Sequence, residues 1–139
     1  MTRARHERGQ ALVEFALIIP LFALLLFALL DFGRVVYTQN TVEQAAREAS
    51  RVGTLEPVAA AWKYSLIRTA AINSAPGIGL TAANVGGQGC ADCFYPDGAG
   101  SGGLVVVTVS TQVSLLTPIL SQILGGSFNV TSTSRGFIP

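Results

Sequence analysis

One long apolar run dominates the N-terminal third of the chain. From Phe15 to Leu30 there is no charged residue, and Glu14 stands directly before the run. Some 20 helical residues rise about 30 Å, which is the hydrocarbon thickness of a bilayer. The pattern therefore predicts a membrane-spanning helix over residues 10–30. Pro20 removes one backbone hydrogen bond inside it, so we expect a kink there, which is either harmless or a point where the helix can bend.

A stripe of small apolar residues follows the run at helical spacing. It predicts that the same helix continues into solvent and stops near Gly53. Glu43 and Arg47 lie four residues apart in the order that stabilises a helix. The stripe packs either on this chain's own head or on helices of neighbouring subunits, and the pattern leaves both open. Its members are Val35, Val42, Ala45, Ala46, Ala49 and Val52.

A shorter helix is predicted over Thr54–Asn73. Apolar positions recur there at helical spacing, and Pro57 suits a first turn. We expect Trp62, Leu66 and Ile72 to form the face that packs against the first helix. The following stretch, residues 74–103, is rich in glycine and predicts a long loop.

Two stretches alternate between apolar and polar residues, as strands do. Leu104–Ser114 places four valines on one face, and Phe128–Ser134 repeats the pattern more weakly. Thr117 and Pro118 between them predict the start of a short helix. We expect the strands to pair antiparallel and to cover the long helix, because a small sheet needs another element to bury its apolar face. The fold class is therefore α+β.

Charge predicts the orientation in the membrane. Arg3, Arg5 and Arg8 precede the apolar run, whereas Asp31 and Arg34 after it offset each other. The positive-inside rule then puts residues 1–9 in the cytoplasm, as an unstructured leader, and residues 31–139 outside as a head. A cleaved secretory signal fits poorly, because no small-x-small site follows the run.

Composition limits the partners. Only 12% of the residues are charged and 50% are hydrophobic, with a net charge of +1. Average soluble domains carry about 25% charged residues, so one membrane segment and a weakly charged head explain the shift. The basic residues do not cluster beyond the leader, and no nucleic-acid partner is indicated.

Glu14 is costly in a membrane helix. A carboxylate at the centre of a bilayer costs roughly 2.5–3.5 kcal/mol, and such residues are functional by default. If the chain is cut between Gly9 and Gln10, a new amine appears about one helical turn from Glu14, and the two charges could pair. The alternative is that Glu14 sits at the membrane surface and reaches water.

The N-terminal motifs resemble a known family. Gly9, followed by Q-A-L-V-E-F at residues 10–15, is similar to a type IV prepilin processing site. The continuation, with D-F-G-R at Asp31–Arg34 and Q-A-A-R-E-A-S-R-V-G at Gln44–Gly53, resembles the TadE-like family. These proteins are the pseudopilins of tight-adherence (Flp) pilus systems. The resemblance is strong from Arg8 to Gly53.

The resemblance implies a pilin-like fold and a role in pilus assembly, adherence and biofilm formation. It implies cleavage by a prepilin peptidase after Gly9, with Gln10 as the first mature residue, and recognition and assembly roles for Glu14 and Phe15. The implied partners are Flp pilin, other Tad pseudopilins, the Tad inner-membrane platform and membrane lipid. Many prepilins have an apolar residue directly after the cut, whereas Gln10 is polar. The difference bears on how efficiently the chain is cut and on whether Gln10 is N-methylated.

The predicted loop contains the two cysteines, Cys90 and Cys93. Outside the cytoplasm disulfides persist, so a small structural disulfide is expected. Free thiols are the alternative. A redox motif would need a helix N-terminus, and a zinc site would need two more ligands.

No catalytic group of residues emerges. The single histidine, His6, lies in the leader, and no base is placed beside a serine. The sequence therefore predicts no enzyme, cofactor or metal site. Two functions stay open: a cleaved assembly subunit held in the inner membrane, which reaches the pilus or cell surface after assembly, and an uncleaved single-pass protein that displays its head as a binding module.

Overall fold

A computed structural model shows one long helix with a small mixed head along its C-terminal half. It describes residues 3–55, 61–86, 94–95, 102–117, 121–122 and 125–139, and only the backbone of residues 3–8, 61 and 62. The α+β class predicted from the sequence is confirmed. In chain order the elements are α1 (Arg3–Thr54), α2 (Ala61–Asn73), a 3-10 turn at Ala82–Asn84, β1 (Leu104–Ser114) and β2 (Ser127–Phe137).

Helix α1 has 52 residues and is therefore about 78 Å long. It begins at Arg3, so the prediction of an unstructured leader up to Gly9 is wrong. Arginine, alanine and glutamate are good helix formers, and extending an existing helix needs no new nucleus. The helix is also continuous across Pro20. The kink at this proline stays a prediction.

Strands β1 and β2 form a two-stranded antiparallel sheet, as predicted. The register pairs Leu104 with Phe137 at one end and Ser114 with Ser127 at the other. β2 continues three residues beyond the predicted Ser134, because its partner strand offers pairing positions as far as Leu104. Of the predicted short helix between the strands, only residues 121–122 are described, and they are helical.

The alanine-rich stripe of α1 packs on this chain's own head. Val42, Ala45, Ala46 and Ala49 have no exposed surface. Small side chains let the helix approach β1 and α2 closely. Of the two interpretations, packing on this chain's own head is therefore the one that holds for this face. The rest of the fully buried centre comes from the head: Ile67, Ala71, Val85, Phe94, Val105, Val107 and Val109.

Gly53 has a different role from the predicted helix stop. It lies inside α1, which ends at Thr54, and a Cβ atom there would stand 2.6 Å from Cγ1 of Val105. At the opposite end of β1, Arg34 Nη1 lies 3.5 Å from the carbonyl oxygen of Ser114. β1 therefore runs antiparallel to α1, and the loop after β1 returns to the point where the apolar run ends.

The inward face of α2 is one residue away from the predicted one. Leu66 is 47% exposed, whereas Lys63, Ile67 and Ala71 are buried. The side chain of Trp62 lies outside the described part. Positions 63, 67 and 71 share a helical face as well as 62, 66 and 69 do, so spacing could not separate the two faces. The structure turns Lys63 inward, which the apolar spacing did not predict.

Candidate functional site

The N-terminal half of α1 has no protein around it. An 18-residue window of this half has a mean hydropathy of 2.7, and none of it is buried inside the structure. Thirteen large apolar side chains there show between 43% and 71% of their surface, and Leu24 is half-buried. The thirteen are Leu12, Val13, Phe15, Leu17, Ile18, Ile19, Leu21, Phe22, Leu25, Leu26, Phe27, Leu29 and Leu30. A helix that is apolar on all sides needs lipid or other helices around it.

The predicted processing site lies at the start of this exposed half. Gly9 is exposed, and a Cβ atom placed on it would meet no other group within 4 Å. Gln10 and Glu14 share one side of the helix, with Gln10 Nε2 lying 3.5 Å from Glu14 Oε1. Phe15 points outward and is 61% exposed. The helix thus places Gln10 one turn from the carboxylate of Glu14, as the spacing predicted.

A second group of residues, which sequence reasoning missed, joins α1 to the head. Asp31, the first residue after the apolar run, is only 4% exposed. Its Oδ1 accepts a hydrogen bond of 2.9 Å from the Leu116 amide. Its Oδ2 accepts bonds from the Thr117 amide at 2.9 Å and the Thr117 hydroxyl at 2.6 Å. The carboxylate therefore holds the loop after β1 against the helix.

The same bonds keep Asp31 ionised. The pKa of Asp31 lies below its ordinary value, mainly because the Thr117 hydroxyl donates to the carboxylate, with the Leu116 amide next. Burial acts in the opposite direction, and nearby Arg34 adds a smaller lowering effect. Hydrogen bonds to an ionised group are shorter and stronger than neutral ones. We call Asp31, Arg34, Leu116 and Thr117 the neck of the molecule.

The neck also begins a helical turn. The Ser121 amide donates to the Thr117 carbonyl at 2.9 Å, which is the bond between residues four apart that a helical turn makes. Asp31 accepts bonds from free amides at the start of this turn, as an N-cap residue does, but from a distant part of the chain. The sequence held one signal for this role. A carboxylate directly after an apolar run needs strong partners, and Thr117 with Pro118 predicted a helix start.

The outward face of α1 beyond the neck carries ion pairs. Arg47 pairs with Glu43, and Arg51 donates two bonds to Glu48, at 2.6 and 3.0 Å. All four side chains are more than a third exposed, so each pair contributes little to stability. These pairs border a polar groove of about 590 Å³ between α1 and α2.

Lys63 is a buried cation in the head, and its burial was not predicted from the sequence. Lys63 is 2% exposed, and its Nζ lies 5.7 Å from the centre of the Tyr95 ring. The Tyr95 hydroxyl donates to the Gly53 carbonyl at 3.1 Å. Burial raises the pKa of Tyr95, and neighbouring Tyr64 adds to this. These contacts tie the end of α1 to α2.

The predicted disulfide falls on residues that the structure does not describe. Cys90 and Cys93 lie outside the described residues, and their disulfide stays a prediction. Within the described ranges no three histidine, cysteine, aspartate or glutamate side chains group as metal ligands would.

These features define a class of protein: an α+β head mounted on a single helix long and apolar enough to cross a membrane. Residues 9–51 match the family model of TadE-like proteins, which confirms the resemblance read from the sequence. That family consists of structural pilus components. No curated protein and no solved structure matches the chain.

Proposed function

We propose that this chain is a pseudopilin of a tight-adherence pilus, cut after Gly9 and assembled through the exposed half of α1. One observation carries the proposal. The apolar half of α1 is exposed on every side, and its first turns hold a carboxylate that a simple anchor does not need. The matched family supports the same role.

In this proposal the chain waits in the inner membrane, with its N-terminus in the cytoplasm and its head outside. The three arginines of the leader support this orientation. The inner-membrane platform of the Tad system then brings the chain together with Flp pilin and other pseudopilins. The exposed half of α1 exchanges lipid contacts for contacts with their helices, and the head stays folded because its core is its own.

Glu14 has a specific task in this proposal. Cleavage creates a positive amine on Gln10, whose side chain lies on the same side of α1 as the carboxylate. In surroundings of low dielectric constant an unpaired charge is costly, whereas a close pair offsets much of that cost. Glu14 therefore pairs with this amine, either in its own chain or in the next subunit, and sets the axial position of each new helix.

The first experiment is the N-terminal sequence and intact mass of the protein from native membranes. A start at Gln10 supports the proposal. An intact leader, in cells with an active prepilin peptidase, would refute processing and favour the alternative, an uncleaved protein that displays its head.

Gly9→Ala tests the processing site directly. We expect cleavage to be largely lost, because a peptidase must approach this backbone closely and a side chain hinders it. Gly33→Ala is the matched control, since Gly33 lies in the same helix with equally open surroundings. If both variants are cleaved as efficiently as the wild type, Gly9 is no processing site.

Glu14→Gln tests assembly. The variant keeps the shape of the side chain and removes its charge, so we expect normal insertion and cleavage but few pili in electron micrographs. Glu14→Asp, which keeps the charge, should retain part of the assembly. Wild-type pilus numbers in the Glu14→Gln strain would count heavily against the pseudopilin role.

A further inference from the structure

The end of the head next to the apolar half of α1 carries exposed apolar side chains. Leu116 is 60% exposed, Phe128 is 38% exposed, and Phe32 on α1 beside them is 66% exposed. Leu115 and Phe128 line a groove of about 260 Å³ against α1, whose other walls are Ala28, Asp31, Phe32 and Val35. We call Phe32, Leu115, Leu116 and Phe128 the shelf.

The neck fixes the height of the shelf along α1. The Leu116 amide is bonded at 2.9 Å to Asp31, the residue at which the apolar run ends. Phe32 follows Asp31 in the same helix. The shelf therefore stands at the level where a helix that crosses the bilayer over residues 10–30 leaves the hydrocarbon layer.

The far end of the head provides a contrast. Gly136 lies beside the end of α1, where a Cβ atom would come within 2.7 Å of Thr54 Cγ2. Neighbouring Phe137 is 78% exposed. From Asp31 to Thr54 the helix rises about 35 Å, so Phe137 stands well away from the membrane. Exposed apolar side chains thus occur at both ends of the head. Only those of the shelf, among the two ends, adjoin the membrane segment of α1.

We propose that the shelf is a second membrane contact, through which the head rests on the outer leaflet of the bilayer that α1 crosses. The occupant of the groove is the acyl and glycerol region of the lipids. Three observations favour lipid over a protein partner. The shelf adjoins the apolar surface of α1, because Asp31 between them is covered by its hydrogen bonds. It also lies at the right height, and Leu115 and Phe128 form a mostly apolar groove against α1.

The contact gives the chain a fixed posture before assembly. A single helix alone leaves a head free to tilt and rotate, whereas a second contact holds one face of the head toward the membrane. Leaving the membrane for a filament then requires the shelf to exchange lipid for a protein surface. The inference depends on α1 crossing the membrane and is independent of cleavage after Gly9.

Site-specific photocrosslinking tests the contact in the full chain. A benzophenone amino acid replaces Leu116, Phe128, Leu25 or Phe137 in separate variants, all at exposed positions. After irradiation of native membranes, the intact mass reports what is attached. We expect phospholipid adducts at Leu116 and Phe128 as well as at Leu25, the control within the membrane segment, and none at Phe137.

Three outcomes would overturn the proposal. Lipid adducts at Leu25 without any at Leu116 and Phe128 would show that the shelf does not touch the membrane. Adducts of protein mass at the shelf would show that another chain covers it. The absence of a lipid adduct at Leu25 would show that α1 does not cross the membrane. An intact leader together with lipid adducts at the shelf would refute the pseudopilin role and leave this contact in place.

Discussion

The two halves of α1 differ in what surrounds them, although they form one continuous helix. The first half is apolar all round and shows every large side chain to its surroundings. The second half is apolar along one stripe, whose centre from Val42 to Ala49 is fully buried against the head and whose ends, Val35 and Val52, are half-buried. The first half therefore depends on partners outside the chain, while the second half is satisfied within it. A change to an apolar side chain should therefore affect contacts with partners in the first half and the stability of the head in the second half.

The largest effect on folding is expected in the core of the head. Ile67→Ala removes a side chain with no exposed surface, and such changes cost about 2–5 kcal/mol. Leu66→Ala is the matched control at the next position, where the leucine is 47% exposed, and should cost far less. Urea unfolding of the full chain in detergent, followed by circular dichroism, measures both. Equal losses would contradict the inward face described for α2.

Two glycines in the second half of α1, one in open surroundings and one packed on β1, give the next comparison. Gly53→Ala would place a Cβ atom 2.6 Å from Val105 Cγ1, and such overpacking costs about 1–3 kcal/mol. Gly33→Ala adds a methyl group in open space and should stabilise the helix by roughly 0.5–1 kcal/mol, because glycine is the poorer helix former. Thermal unfolding of the two variants in the same detergent reports the sign. A stabilised Gly53→Ala variant would contradict the close packing of α1 on β1.

The neck makes stability depend on pH. Because the pKa of Asp31 is lowered in the folded protein, its contribution is complete above the unfolded value of about 3.9 and is lost as the pH falls through the folded value. We expect the unfolding temperature of the wild type to drop below about pH 4. Asp31→Asn should be less stable at neutral pH and should lose part of this acid dependence.

Thr117→Val separates the two kinds of bond at the neck. It removes the hydroxyl that lowers the pKa most and leaves both backbone amides on Asp31. The acid transition should then move to higher pH, toward the ordinary aspartate value. An unchanged transition in both Thr117→Val and Asp31→Asn would show that the neck does not control acid stability.

The comparison of the two halves also shows what the sequence could reveal. Local periodicity predicted α1, β1 and the buried stripe, because helix and strand spacing repeat every few residues. It could not choose between Leu66 and Ile67 as the inward residue, since both positions belong to plausible helical faces. The neck joins Asp31 to residues 85 and 86 positions later in the chain, and no pattern in a single sequence connects them.

The predicted site shows the same limit. The motif from Gly9 to Phe15 was visible because its spacing is local, and the structure places Gln10 and Glu14 on one side of α1. The partner of Glu14 in an assembled pilus belongs to another chain, so neither one sequence nor one folded chain contains it. The shelf became visible only after folding brought Leu116 and Phe128 to Phe32.

The smallest effect is expected on the outward face of α1. Glu43 and Arg47 form an exposed pair four residues apart, which stabilises a helix by about 0.2–0.5 kcal/mol. A double-mutant cycle with Glu43→Gln and Arg47→Met isolates this coupling, and added salt should reduce it further. A coupling above about 1 kcal/mol would be more than an exposed pair supplies and would point to surroundings of low dielectric constant, as when another subunit covers this face. Measured in isolated protein and in pili, the cycle would therefore show whether the head half of α1 also takes part in assembly.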